Sequence, residues 1–113
     1  MNKSILVDMS ATLIHHGHIR LLKEASQRGE VIVALTSDEE IIKHKGYKPE
    51  LSYEFRKEIL ESIKYVKKVI KSPWHINNEF LEKSGAEYLL HGSDNSNDID
   101  EDKLIILKRT EGI

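Results

Sequence analysis

The sequence predicts an α/β protein built around a parallel sheet. Short runs of apolar and β-branched residues alternate with amphipathic segments along the whole chain, the order that places helices against a sheet. One run, residues 30–37, is almost continuously apolar, as expected for a strand that is covered on both faces. No internal repeat and no linker interrupts this alternation, so we expect helices on both sides of one sheet.

Five segments have the composition of buried strands, with Val, Ile and Leu in short runs bounded by polar residues. They are residues 4–7, 30–37, 68–71, 88–91 and 104–107.

Three segments predict helices. The first covers residues 19–28, and the third covers residues 77–83, which Gly85 follows as a stop signal. The second begins after Ser52, a good N-cap. Its apolar side chains recur at helical spacing and predict a face toward the core: Phe55, Ile59, Ile63 and Val66.

Two stretches predict irregular structure. Residues 42–51 follow the second strand after a short turn at 38–41, and residues 92–102 follow the fourth strand directly. Ligands of open parallel sheets bind outside the carboxyl ends of the strands. We therefore expect both stretches to lie beside a ligand site.

The most informative motif is His15-His16-Gly17-His18, which lies between the first predicted strand and the first predicted helix. A helix N-terminus attracts anions, and glycine lets a phosphate approach the backbone. Imidazoles at positions i and i+3 project from one side of a helix. We expect His15 and His18 to face a common anionic ligand, although in a chain with six histidines the motif alone also fits polar caps of a loop.

Composition limits the function further. The 113 residues predict a single domain, 1–113, with one active centre. The net charge is −2, from 17 basic and 19 acidic residues, which gives no general reason to bind nucleic acid or an anionic membrane.

There is no cysteine, hence no disulfide and no thiolate nucleophile. No apolar run approaches the roughly 20 residues that span a bilayer, so we expect a cytoplasmic protein.

The other aromatic and histidine residues carry weaker signals. The two motif histidines lack the i, i+4 spacing of helical zinc ligands, so no protein-held metal site is predicted. Trp74 fits either a substrate pocket or a packing contact, and His44 and His75 fit ordinary loop positions.

Six short segments in a fixed order span nearly the whole chain. They are residues 15–19, 36–39, 52–57, 63–66, 92–94 and the Arg-Thr-Glu-Gly-Ile segment at 109–113. Together they resemble the cytidylyltransferase branch of the nucleotidyltransferase superfamily, most closely the glycerol-3-phosphate cytidylyltransferases.

The resemblance implies a Rossmann-like, three-layer α/β/α fold with a five-stranded parallel sheet in the order 3-2-1-4-5. It also implies transfer of CMP from CTP to a phosphorylated small molecule, with glycerol 3-phosphate the leading acceptor, and release of pyrophosphate. Other phosphorylated alcohols or amino compounds stay open as acceptors. Mg²⁺ bound with the triphosphate and a homodimer are implied as well.

The resemblance also assigns site residues. His15 and His18 are the implied catalytic histidines, and Lys43 and Lys45 are the implied lysine pair that neutralises phosphate charge. The implied nucleotide-binding residues are Ser10, Gly17, Arg56, Asp94, Arg109 and Thr110.

Two departures from the family pattern keep other functions open. Met9, Ser10, Ala11 and Thr12 stand where the family has Gly-Thr-Phe-Asp, so a neutral hydroxyl replaces a carboxylate. The sequence also ends at Ile113, where the family continues into a further C-terminal helix. An adenylyltransferase of the same superfamily, or a nucleotide-binding domain without turnover, is therefore an alternative.

Overall fold

The computed structural model describes residues 3–11, 14–92 and 103–107. Its strands are β1 (Ser4–Met9), β2 (Glu30–Thr36), β3 (Val66–Ser72), β4 (Tyr88–Gly92) and a further strand segment, β5 (Leu104–Leu107). Its helices are α1 (His16–Ser26), α2 (Asp38–Lys45), α3 (Tyr53–Glu61) and α4 (Asn78–Ser84).

A parallel sheet organises the fold, with the order β3-β2-β1-β4. This confirms the α/β class and the parallel sheet that the alternating pattern predicted. The order reverses beside β1, because β2 lies on one side of it and β4 on the other. The carboxyl end of β1 is therefore the position at which open parallel sheets bind ligands.

Each face of the sheet has its own hydrophobic core, because successive side chains of a strand point to opposite faces. Ile5 and Val7 of β1 pack in the cluster that also holds side chains of α1 and α3. Leu6, between them, packs in a second cluster with Leu81 of α4. Residues 31–36 of β2 are all buried, as the continuous apolar run predicted.

Helix α2 replaces the turn and the first part of the loop that we expected over residues 38–51. The Oγ of Ser37 accepts a hydrogen bond from the Glu40 N–H at 3.2 Å, and Gly46 ends the helix with a φ of 78°. Its first turn is acidic and its last turn basic, which complements the helix dipole. Only Ile41 of this helix is buried. The prediction was wrong because caps and charges stabilise this helix without an apolar periodicity.

Helix α3 also differs from its prediction, because Phe55 and Ile59 face solvent, whereas Ile63 and Val66 lie beyond its end at Glu61 and pack against the core. Phe55 is 60% exposed and Ile59 is 40% exposed. The residues that α3 buries are Tyr53, Arg56 and Leu60. The spacing of apolar residues predicts a helical face but does not show which way that face points. In α3 the side chain of Arg56 points inward, where four hydrogen bonds to protein acceptors hold it.

The remaining elements lie close to their predicted positions. Helix α1 begins earlier than residue 19, because His15 caps it. Helix α4 begins after Asn77, whose Oδ1 accepts the Phe80 N–H at 2.9 Å, and ends at Gly85, which has a left-handed φ of 86°. In the described part of the chain, no helix is both long enough and apolar enough to cross a membrane.

Candidate active site

The candidate site lies where β1 and β2 end and α1 begins. Ser10 and Ala11 follow β1, and the buried Ala11 has a φ of 48°, in the left-handed region that non-glycine residues rarely adopt. Such strain persists only where the surrounding structure imposes it, and it concentrates at functional sites. Helix α1 begins with the histidine motif, which His15 opens as the N-cap.

The first turn of α1 holds His15 and His18 side by side. His15 is the N-cap, and its Nδ1 accepts the Gly17 N–H at 3.0 Å. The Nδ1 of His18 accepts the His15 N–H at 3.1 Å. The ring centroids are 4.2 Å apart, so the structure brings the two motif histidines together.

These two hydrogen bonds determine where each neutral ring carries its proton. An imidazole nitrogen that accepts a hydrogen bond cannot carry the proton, so the proton of each ring lies on Nε2. Within the described residues, no hydrogen bond to either Nε2 is present. The pair therefore offers two N–H donors to a ligand, whereas the Gly17 N–H is already bonded to His15.

Burial first, and the electrostatic influence of the neighbouring His15 second, lower the pKa of His18 to about 4 from its ordinary value of 6.5. His18 is therefore neutral at pH 7. Because the unfolded chain takes up this proton near pH 6.5 and the folded chain near pH 4, the group destabilises the fold as the pH falls between these values. A bound phosphate would favour the charged form and raise this pKa.

Lys45 connects α2 to the loop that follows β1. Its Nζ lies 3.4 Å from the Oγ of Ser10 and 5.8 Å from the centre of the Trp74 ring. Lys43 lies exposed on the same last turn of α2. Of the predicted lysine pair, the structure thus brings Lys45 to Ser10, the residue that follows β1.

Three aromatic side chains for which the sequence predicted no common site meet near Lys45. The ring of His44 stacks on Trp74 with centroids 4.8 Å apart and planes 10° apart, and His75 lies edge-on to His44 at 6.2 Å. The backbone N–H of Trp74 donates to the Oε1 of Glu40 at 2.8 Å. We call His44, Trp74 and His75 the aromatic platform. No local spacing could have revealed it, because α2 and the segment after β3 meet only in the fold.

Arg56, an implied nucleotide ligand, lies beneath the site. Its side chain is fully buried, and it forms an ion pair with Asp38 at 2.6 Å. Three other implied ligands, Asp94, Arg109 and Thr110, lie outside the described residues.

The described donor set does not provide a metal site of its own. Within residues 3–11, 14–92 and 103–107, no three His, Asp or Glu side chains converge on a position that could hold an ion. Asp38, which is near the site, is engaged by Arg56. These residues therefore do not fit an ion held by the protein alone.

Comparison with known proteins places this geometry in context. Residues 10–111 match the family model described as cytidylyltransferase-like. The chain is 42% identical to the glycerol-3-phosphate cytidylyltransferase of Staphylococcus aureus, over 98% of this chain and 88% of that protein. It is also 36% identical to the ethanolamine-phosphate cytidylyltransferase of Mus musculus, over 73% of this chain and 20% of that protein.

A solved structure supports the fold independently. The chain superimposes on a lipopolysaccharide core biosynthesis protein from Thermoplasma volcanium with a TM-score of 0.78. The match covers 97% of this chain and 98% of that one, at 18% identity. At this level of identity, the likeness describes the fold alone.

Proposed function

Since this chain belongs to the cytidylyltransferase-like family, we propose that it transfers CMP from CTP to glycerol 3-phosphate and releases pyrophosphate. The observation that carries the proposal is the pair of imidazoles of His15 and His18. Their rings are 4.2 Å apart at a helix N-terminus, and both Nδ1 atoms are occupied by backbone N–H groups. This arrangement presents two fixed donors to an anion.

The reaction is an in-line displacement at the α-phosphorus of CTP. A phosphate oxygen of the acceptor forms the new P–O bond, and the bond from the α-phosphorus to the bridging oxygen breaks, so pyrophosphate takes the electron pair. The attacking oxygen is already deprotonated, so no general base is needed. Neutral imidazoles suit this chemistry, because their Nε2–H groups stabilise charge on phosphate oxygens without removing a proton.

The other site residues supply charge and orientation in this proposal. Lys45 adds a positive charge beside Ser10, and Lys43 adds a second on the same turn of α2. The remaining proposed nucleotide-binding residues are Ser10, Gly17, Asp94, Arg109 and Thr110. Mg²⁺, carried in by the triphosphate oxygens, would neutralise part of their charge.

The proposal places the acceptor beside Trp74, where the charge of Lys45 favours glycerol 3-phosphate over an amine-bearing acceptor. The ammonium of Lys45 already lies near the Trp74 ring, and His44 stacks on that ring. The ammonium group of an amine-bearing acceptor would meet a like charge there, whereas the uncharged glycerol group of glycerol 3-phosphate would not. Ethanolamine phosphate is the comparison substrate, because one relative is named as an ethanolamine-phosphate cytidylyltransferase.

The test measures pyrophosphate release with CTP or ATP and Mg²⁺, in the presence of glycerol 3-phosphate, ethanolamine phosphate or no acceptor. We expect release with CTP and glycerol 3-phosphate, at least tenfold faster than any other combination. Pyrophosphate release with ATP but not with CTP would identify an adenylyltransferase. Binding of CTP without release, whatever the acceptor, would identify a nucleotide-binding domain without turnover.

We also propose the five-stranded order 3-2-1-4-5 and a single domain over residues 1–113. The support for the fifth strand is the parallel alignment of Leu104 with Leu89 of β4.

We propose a homodimer, which the exposed side chains of Phe55 and Ile59 support. Light scattering would then give twice the chain mass of 13.0 kDa, and the single mass would contradict it. A cytoplasmic location stays a prediction.

A further inference from the structure

A fully buried arginine joins both sides of the candidate site. The Nε of Arg56 donates to the Leu51 carbonyl at 3.0 Å. Its Nη1 donates to the carbonyls of Ser10 at 2.6 Å and Thr36 at 2.9 Å. Its Nη2 donates to the Oδ1 of Asp38 at 2.6 Å. One side chain thus holds the loop after β1, the end of β2 and the start of α2.

The carboxylate of this ion pair reaches a further element. The Oδ2 of Asp38 accepts the backbone N–H of Tyr53, the first residue of α3, at 3.1 Å. The Oγ1 of Thr36 in turn donates to the Met9 carbonyl at 3.3 Å, which ties the ends of β1 and β2 together. We call Arg56 and Asp38, with these acceptors and donors, the Arg56–Asp38 clamp.

The clamp leaves Arg56 little capacity for a substrate. A guanidinium has five N–H donors, and four of them are engaged by protein acceptors. The side chain is 0% exposed, so a nucleotide phosphate could reach the remaining N–H only after the residues that cover it had moved. Its buried charge is already balanced by Asp38.

As an inference that rests on the proposed function, we propose that Arg56 is a positioning residue, which acts with Asp38 to set the distance between the loop after β1 and helix α2. Ser10 is held from two sides, because Arg56 binds its carbonyl and Lys45 reaches its hydroxyl. Helix α2 is about 12 Å long at 1.5 Å per residue. A small tilt at Asp38 would therefore move Lys45 appreciably at the other end.

The test compares Arg56→Lys and Asp38→Asn with the wild-type chain and with a matched control, Arg28→Lys. Arg28 is an exposed arginine that pairs with Glu24 at 3.9 Å. Lysine keeps the charge of Arg56 and loses the planar fork, whereas asparagine keeps the shape of Asp38 and loses its charge. The measurements are kcat with CTP and glycerol 3-phosphate, corrected for the folded fraction by circular dichroism, and the Kd for CTP.

We expect Arg56→Lys and Asp38→Asn each to lower kcat at least tenfold, with the Kd for CTP within threefold of wild type. The double variant should be no slower than the slower single one, because both changes break the same unit. Arg28→Lys should match wild type. Weaker CTP binding by Arg56→Lys alone, with unaltered binding by Asp38→Asn, would make Arg56 a phosphate ligand and overturn the proposal. Wild-type kcat per folded molecule in both variants would also overturn it.

A second readout does not depend on turnover. The Ser10 carbonyl and the Ala11 N–H belong to one peptide, so loss of the clamp should shift the amide signal of Ala11 in a ¹H–¹⁵N NMR spectrum. If the clamp also orients α2, the Lys45 amide should shift with it. Unmoved Ala11 and Lys45 signals in Asp38→Asn would overturn the proposal, even if Arg56→Lys failed to fold. If the wild-type chain released no pyrophosphate, the proposed function would be refuted. The NMR shifts of the Ala11 and Lys45 amides would then still test the clamp, because they do not depend on turnover.

Discussion

Replacing His18 by alanine should lower kcat by about 10²–10³-fold, the usual cost of removing one preorganised donor that stabilises transition-state charge. The His18 Nδ1 is held by the His15 N–H at 3.1 Å, so its Nε2–H is fixed in direction before substrate binds. An alanine methyl group cannot replace this donor. The measurement is pyrophosphate release under saturating CTP and glycerol 3-phosphate.

His16 provides the matched control for this prediction. It lies between the two motif histidines, is exposed, and its ring centroid is 5.8 Å from that of His15. His16→Ala removes an imidazole from the same turn of α1, so it should leave kcat within about twofold of wild type. A His18→Ala variant that kept wild-type turnover would remove this ring from the mechanism.

Substitution of His15 should separate two roles of one side chain. Its Nδ1 caps α1 through the Gly17 N–H at 3.0 Å, and its Nε2–H is the second proposed phosphate donor. His15→Ala should lose both roles, with kcat lower by about 10²-fold and stability lower by about 1 kcal/mol. Asparagine caps helices well, so His15→Asn should lose the turnover and keep most of the stability.

Thermal unfolding and steady-state kinetics of the two variants test this separation. A cost of about 1 kcal/mol corresponds to a fall in Tm of about 4 °C for a domain of this size. We therefore expect His15→Ala to melt several degrees below His15→Asn, while both are slow. If His15→Asn recovered wild-type turnover, His15 would be a cap and no more.

The sheet and the histidine site were predictable from the sequence because local signals encode both. Continuous apolar runs such as residues 31–35 identify buried strands, and parallel packing follows from their alternation with helices. The meeting of His15 and His18 follows from their i, i+3 spacing at a helix start. Neither inference needs knowledge of distant contacts.

The parts that could not be predicted depend on contacts between distant residues. The resemblance gave Arg56 as a nucleotide-binding residue, yet its side chain is buried, with three carbonyls and Asp38 as its hydrogen-bond acceptors. Because Arg56 lies on the inner face of α3, its neighbour Phe55 lies on the outer face and is exposed. The stacking of His44 on Trp74 likewise joins segments about 30 residues apart.

The central claim is that the Nε2–H groups of two neutral imidazoles bind the phosphates of CTP. ¹⁵N NMR of the histidine ring nitrogens during a CTP titration tests it most directly, with signals assigned from the spectra of His15→Asn and His18→Ala. We predict that at pH 7 both rings carry their proton on Nε2 before CTP is added, and that both Nε2 signals shift on binding while the His16 ring does not respond. Binding of CTP with no change at either Nε2, or a proton on Nδ1 of either ring in the free protein, would contradict the account.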